Sequence, residues 1–180
     1  MNRLEEQRAR EAELAARNPT AIRWLWLSVV IVALDHWTKW LILQSFQLYD
    51  RVEILPFLGI TRLHNTGAAF SFLADASGWQ RWFFIALAVV VTVLVSFWLK
   101  QLPARGRGWL AFALALIVGG AVGNVIDRVV HGYVVDFISV HHGGWFFPAF
   151  NVADSAITVG AFILIFESFF EGRRRPDRTM

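Results

Sequence analysis

The chain of 180 residues contains no cysteine. A disulfide-stapled domain is thereby excluded, as are thiol catalysis and thiolate metal sites. Charge is also scarce. Asp, Glu, Lys and Arg make up 17% of the residues, where an average soluble domain carries roughly 25%. No internal repeat is visible, and no serine stands in a GxSxG elbow. Ser71 and Ser155 lack evident His and Asp partners. What is abundant is apolar: 56% of residues are hydrophobic, mean hydropathy is +0.48, and there are 9 Trp and 16 Phe. That composition excludes disorder for most of the chain. A net charge of +3 and a pI near 9.9 would suit nucleic acid. The basic residues, however, sit at the ends of apolar runs, which points to membrane orientation instead.

A membrane span needs about 20 mostly apolar residues. Four windows qualify: Ala21 to Gln44, Trp79 to Leu99, Trp109 to Val130, and Phe150 to Phe170. Trp24, Trp26, Trp79, Trp82, Trp98 and Trp109 lie near their ends, as an interfacial belt would. Arg3, Arg8, Arg10, Arg17 and Arg23 precede or enter the first window. Lys100, Arg105 and Arg107 lie between the second and third, and Arg173, Arg174, Arg175 and Arg178 follow the fourth. The positive-inside rule makes both termini and the middle link cytoplasmic. Residues 45–78 and 131–149 then face outward. No signal peptide is expected, because the first apolar run follows about twenty polar residues and is too long for a signal h-region. The chain divides into a polar extension over 1–20, a four-span domain over 21–170 and a basic tail over 171–180. The extension reads as a surface helix with i,i+4 charge pairs or as a tail, and carries no assigned role. Val52 to Leu63, rich in β-branched and aromatic residues and broken by Pro56 and Gly59, reads as short strands on the membrane surface. The fold class is therefore an all-α membrane protein of four transmembrane helices, with a small extended or β segment on the outward side.

Ionisable groups inside spans are costly, so each is a functional candidate. Asp35 and Lys39 stand at i,i+4 and share a helix face, either as a structural ion pair or as part of a site. Asn124, Asp127 and Arg128 share a face of the third window. There the choice lies between structure and orienting or binding substrate. Gly119 and Gly123 form a GxxxG that admits a second helix closely. Asp136 follows an apolar pair in YVVDFI. Asp154 lies in the first turn of the fourth window, with Asn151 three residues earlier as an N-cap. Asp136 lies in the short outward link, near the end of the preceding helix, and its segment and that of Asp154 can converge as a paired-carboxylate site. Two such groups share a proton near neutral pH. The ionised member can deprotonate water while the protonated one polarises a carbonyl. His131, His141 and His142 lie near Asp136, but their spacing matches no standard ligand pattern, so no metal and no cofactor is expected; HHGG reads as a wet outward loop. A small proton or solute transporter using edge-of-membrane acids is the alternative.

Five motifs occur in order: DHWTK from Asp35, NTGAAFS from Asn65, GNVIDR from Gly123, VVDF from Val134, and FNVADSA from Phe150. In these the chain resembles bacterial lipoprotein signal peptidase, also called signal peptidase II, from the first span to the last. The resemblance implies an inner-membrane aspartic endopeptidase that cuts prolipoprotein signal peptides before the diacylglyceryl-modified lipobox cysteine. It implies Asp136 and Asp154 as the catalytic pair. Asn65, Asn124, Arg128 and Asn151 would line the site, Asp35 would be a further important polar residue, and Asp127 would be structural beside Arg128. It further implies surface strands at Val52 to Leu63, a substrate-gripping lid around Asn65 to Asp75, and inhibition by the cyclic peptide globomycin. The partners expected are diacylglyceryl-modified prolipoproteins and membrane lipids, with no nucleic acid and the enzyme acting as a monomer.

Overall fold

A chain segment in hydrocarbon must satisfy its own backbone hydrogen bonds, which long apolar runs do by forming helices. In the computed structural model, residues 3–8, 20–67, 78–103 and 106–171 are described, Phe170 and Glu171 by backbone alone. Four helices arise: α1 Leu25–Ser45, entered through a 3-10 turn at Ala21–Trp24, α2 Trp79–Gln101, α3 Gly108–Val130 and α4 Val152–Glu171. All four spans are long and apolar enough to cross a bilayer. The fourth helix begins two residues late, because Phe150 and Asn151 are occupied elsewhere. Within the extension, residues 3–8 are helical. Most of the expected lid, and nearly all of the basic tail, lie outside the described residues.

The helix α3 is the hub. Its span is 67% buried, against 6% for α2 and 17–22% for α4 and α1. Small residues make this enclosure possible. A Cβ added at Gly119 would stand 2.8 Å from the Cβ of Ile31 and 3.0 Å from the Ser28 backbone; one at Gly123 would stand 2.8 Å from an Asp35 oxygen. The GxxxG thus seats α1. On another face, Gly160 of α4 lies so close that its added Cβ would be 2.7 Å from the Ala113 carbonyl. Ser28 donates to the Ala115 carbonyl at 2.7 Å across the α1–α3 seam. At the opposite end from the polar residues, Ala21, Leu99, Leu102, Leu110, Ala111 and Leu114 close an apolar cluster.

The non-helical part is more ordered than a surface segment. Strands β1 Arg51–Leu55, β2 Leu58–Asn65, β3 Val134–His142 and β4 Trp145–Phe146 form one antiparallel sheet in that order. The sequence points to the first pair, with β2 running two residues beyond Leu63. The third corrects the reading of Asp136 as a residue of a link: VVDF is inside a strand, paired with β2 through Leu63 and Asp136. HHGG is not a loop either. Gly143 and Gly144, at φ 56° and 85°, form the two-residue turn between β3 and β4, a conformation that glycine adopts without a Cβ penalty. On its other side β3 receives Phe150, whose carbonyl accepts from Phe137 and Ile138 at 3.0 and 2.8 Å. The start of α4 is thereby tied to the strand that carries Asp136.

Candidate functional site

Asp136 points from the middle of the sheet and is 3% exposed. Antiparallel pairing sets Leu63 opposite it and Asn65 diagonally beside it on the same face. From there the Asn65 amide donates to Asp136 Oδ2 at 2.9 Å, while its own oxygen accepts from the Gly67 N–H at 3.0 Å. Asn151, fully buried, donates to Asp136 Oδ1 at 2.8 Å.

Asn151 immediately precedes α4 and serves Asp154 as well. Its side-chain oxygen accepts the Asp154 N–H at 2.9 Å, and its own backbone N–H donates to Asp154 Oδ2 at 3.3 Å. The exchange has the reciprocal form of a capping box, with an amide and a carboxylate in the two roles. The other oxygen, Oδ1, accepts from the Asn124 amide of α3 at 2.7 Å. Each of the four carboxylate oxygens therefore has one donor. Each of these donors is an asparagine, neutral, and among the described residues no cation contacts the pair directly. Burial first, and the Asp154 charge second, push the Asp136 carboxyl up from the ordinary 3.8 to about 7, against the opposing hydrogen bonds from Asn65 and Asn151 and the more distant Lys39.

Arg128 bonds backbone, donating to the Gly67 carbonyl at 2.9 Å and weakly to that of Asn124, while its guanidinium lies 5.1 Å over the Phe84 ring. It thus anchors the chain just beyond Asn65. Asp127 is buried and turns away from its neighbour Arg128: it meets Lys39 at 2.9 Å and His36 at 3.7 Å. Asp35, also fully buried, pairs with Lys39 at 2.6 Å. The i,i+4 pair read from sequence is thus one half of a larger cluster, whose other half the spacing does not reveal.

A cavity of about 520 Å³ opens beside these groups. Asn65, Asn124, Arg128 and Asp154 form its polar wall, and Phe147, Phe150 and Ile157 contribute apolar surface. Phe147 and Phe150 were not singled out from the sequence, where nothing separates them from other membrane aromatics. The histidines disperse. His141 stacks on Phe146 at 5.5 Å, and His131 lies 5.7 Å from Tyr133, which His64 faces at 3.7 Å. Among the described residues no group of three or more His, Asp or Glu converges as metal ligands would.

A cavity with Asp154 in its polar wall, and with the Asp136 carboxylate held to the same Asn151, can activate water against an apolar ligand. Comparison with known proteins gives this arrangement its relatives. A family model described as signal peptidase (SPase) II matches residues 27–170. A lipoprotein signal peptidase of Alteromonas mediterranea is 49% identical over 160 residues, covering 89% of this chain and 87% of the relative. One from Acinetobacter baumannii is 52% identical over 161 residues, covering 89% and 91%. Two solved structures, titled as bacterial membrane enzymes determined by the in meso method, superpose with TM-scores of 0.74 and 0.68. They are 30% and 31% identical to this chain; the first covers 88% of it and 94% of the solved chain, the second 81% and 92%.

Proposed function

The chain belongs to the signal peptidase II family and is a multi-pass membrane protease of prolipoprotein signal peptides; from that premise we propose that Asp136 and Asp154 are its catalytic pair. The observation that carries the proposal is their shared support: Asn151 bonds both carboxylates, and among the described residues they hold four neutral donors and no direct cation. Such a pair retains one proton near neutral pH. The ionised member takes a proton from water as the water oxygen bonds the scissile carbonyl carbon. The protonated member donates to the carbonyl oxygen. On collapse the C–N bond breaks, a hydroxyl of the tetrahedral intermediate returns its proton to the carboxylate that had donated, and the proton taken from water passes to the departing amine. No covalent intermediate forms.

The cut falls before the diacylglyceryl-modified cysteine of the lipobox. The cavity supports this reading, since Asp154 forms part of the wall beside Phe147, Phe150 and Ile157, a surface suited to an apolar chain. A signal peptide already lies in the bilayer as an apolar helix, and the diacylglyceryl group adds a second lipid anchor. The polar ends of α1, α3 and α4 lie together at the outward face of the inner membrane, with both termini cytoplasmic. Asn65, Asn124 and Asn151 hold the pair, Arg128 holds the chain at Gly67, and Asp35 and Asp127 support the scaffold. The enzyme works as a monomer, and globomycin occupies the same cleft.

The test uses purified protein in detergent micelles with a lipobox peptide carrying diacylglyceryl and the same peptide without it. Cleavage of the lipidated peptide alone by wild type, lost in folded Asp136→Asn and Asp154→Asn, is the expected result. A folded wild type that leaves the lipidated peptide intact, or a folded variant that still cuts it at the wild-type rate, would refute the proposal.

A further inference from the structure

Below the carboxylate pair lies a buried charge that the proposed chemistry leaves unused. Lys39 is 2% exposed and is not part of the cavity wall. Its ammonium donates to Asp35 Oδ2 at 2.6 Å and to Asn124 Oδ1 at 3.3 Å, and forms an ion pair with Asp127 Oδ2 at 2.9 Å. Each acceptor continues to the site by one further bond. Asp35 Oδ1 accepts the N–H of Ala153 at 2.9 Å, and Asp127 Oδ2 accepts the N–H of Val135 at 3.1 Å. Ala153 and Val135 are the residues immediately before Asp154 and Asp136. The third branch works through an amide. Lys39 and the Asn151 amide both donate to Asn124 Oδ1, so Asn124 must turn its own NH₂ toward Asp154, where it donates at 2.7 Å.

We propose that Lys39, with Asp35 and Asp127, is a charged clamp that sets the spacing and aim of Asp136 and Asp154. The proposal rests on the reading of those two residues as the catalytic pair. Lys39 is then a positioning residue, acting through two backbone amides and one side-chain amide. Stability alone does not call for a lysine here. A buried ion cluster costs heavily in desolvation, and well-packed apolar replacements are often neutral or stabilising. What apolar residues cannot supply is a rigid, directional link from α1 to α3, α4 and β3 at once. The charged and titratable groups around the ammonium are Asp35 and His36 on α1, Asp127 and Arg128 on α3, Asp154 on α4 and Asp136 on β3.

The experiment measures kcat and KM on the lipidated lipobox peptide, in folded, monodisperse detergent fractions. Lys39→Met alone would strand two buried carboxylates, so the main variant is Asp35→Asn/Lys39→Met/Asp127→Asn, which has no unpaired charge and keeps acceptors for Ala153 and Val135. Its KM should stay within about threefold of wild type while kcat falls on the order of 100-fold, as misplacing reactive groups by about 1 Å does. A folded triple variant with wild-type kcat, or one impaired in KM only, would overturn the clamp. Asp127→Asn and Asp127→Ala decide the matter should the triple variant not fold. Asn keeps an acceptor for Val135 and should retain the higher kcat at similar KM; equal kcat values would overturn the clamp. A wild type that leaves the lipidated peptide intact overturns the catalytic pair and the clamp with it. Wild-type cleavage beside an indifferent variant overturns the clamp alone.

Discussion

Asp136→Asn should inactivate the protein and, above neutral pH, make it more stable. The Asp136 carboxyl is pushed to about 7 in the fold against an ordinary 3.8, chiefly because burial penalises its charge. Between those two values the folded state holds a proton that the unfolded chain has already lost. Stability contributed by this group is therefore full below about pH 4 and falls as pH rises, until the folded carboxyl also ionises near pH 7. A gap of about three units, at roughly 1.4 kcal/mol each, corresponds to about 4 kcal/mol lost across the window. Asn is neutral throughout and loses none of it. Near pH 4 the comparison is closest, because a protonated Asp and an Asn are both neutral and each keeps a carbonyl oxygen to accept from one of the donating amides of Asn65 and Asn151. Thermal unfolding in detergent, followed by tryptophan fluorescence, should give nearly equal midpoints at pH 4. At pH 8 the variant should unfold about 10 °C higher, at roughly 2–4 °C per kcal/mol for a chain of this size. Equal midpoints at pH 8, or a wild type that grows more stable from pH 4 to 8, would refute the reasoning.

Peptide cleavage by wild type should follow a bell in pH, with its alkaline limb falling above about pH 7 as the shared proton leaves; a rate flat from pH 4 to 9 contradicts a coupled pair. EDTA should leave cleavage unchanged, and loss of activity restored by zinc would replace the carboxylate mechanism with a metal-assisted one. Gly160→Ala should cost about 1–3 kcal/mol of detergent stability, because the new methyl would meet the Ala113 carbonyl at 2.7 Å; unchanged unfolding would mean that α4 can move off α3. Ser28→Ala should cost about 1 kcal/mol through the lost bond to Ala115 and leave kcat unchanged, as assays of the folded fraction can check.

The helices were legible because lipid leaves a span few options: about twenty apolar residues in a row can satisfy their backbone only as a helix. The strand β3 was not. VVDFISV carries its signal in a short run that sits directly after a helix, and its pairing depends on β2, some seventy residues away in sequence. Asp35, Asp127, Asp136 and Asp154 stood out for a reason of cost, since charge in an apolar context needs explanation. Which acid belongs with which partner was not written there. Lys39 at i,i+4 from Asp35 was visible, but its bond to Asp127 crosses between helices α1 and α3. Asp127 and Arg128 are adjacent in sequence and free to pair with other groups, since consecutive helical residues point about 100° apart, but which neighbours the two serve is set by the packing of other segments. Asn151 was legible as a cap; its second bond, to Asp136, depends on Phe150 docking against β3.

The central place of α3 has a consequence for how the protein comes into being. It is third to be synthesised, yet part of its polar face is matched by the helix made last. Asp127 can find Lys39 as soon as α1 and α3 meet, but Asn124 waits for Asp154, and the surface around Gly120 waits for Ala153 and Ile157. A nascent chain halted after β3 presents an unpaired Asn124 amide to lipid and holds Asp136 without Asp154. The fourth helix brings in Asp154, its Asn151 cap and part of the cavity wall together, so on the reading of Asp136 and Asp154 as the catalytic pair, activity waits for α4 to dock on α3.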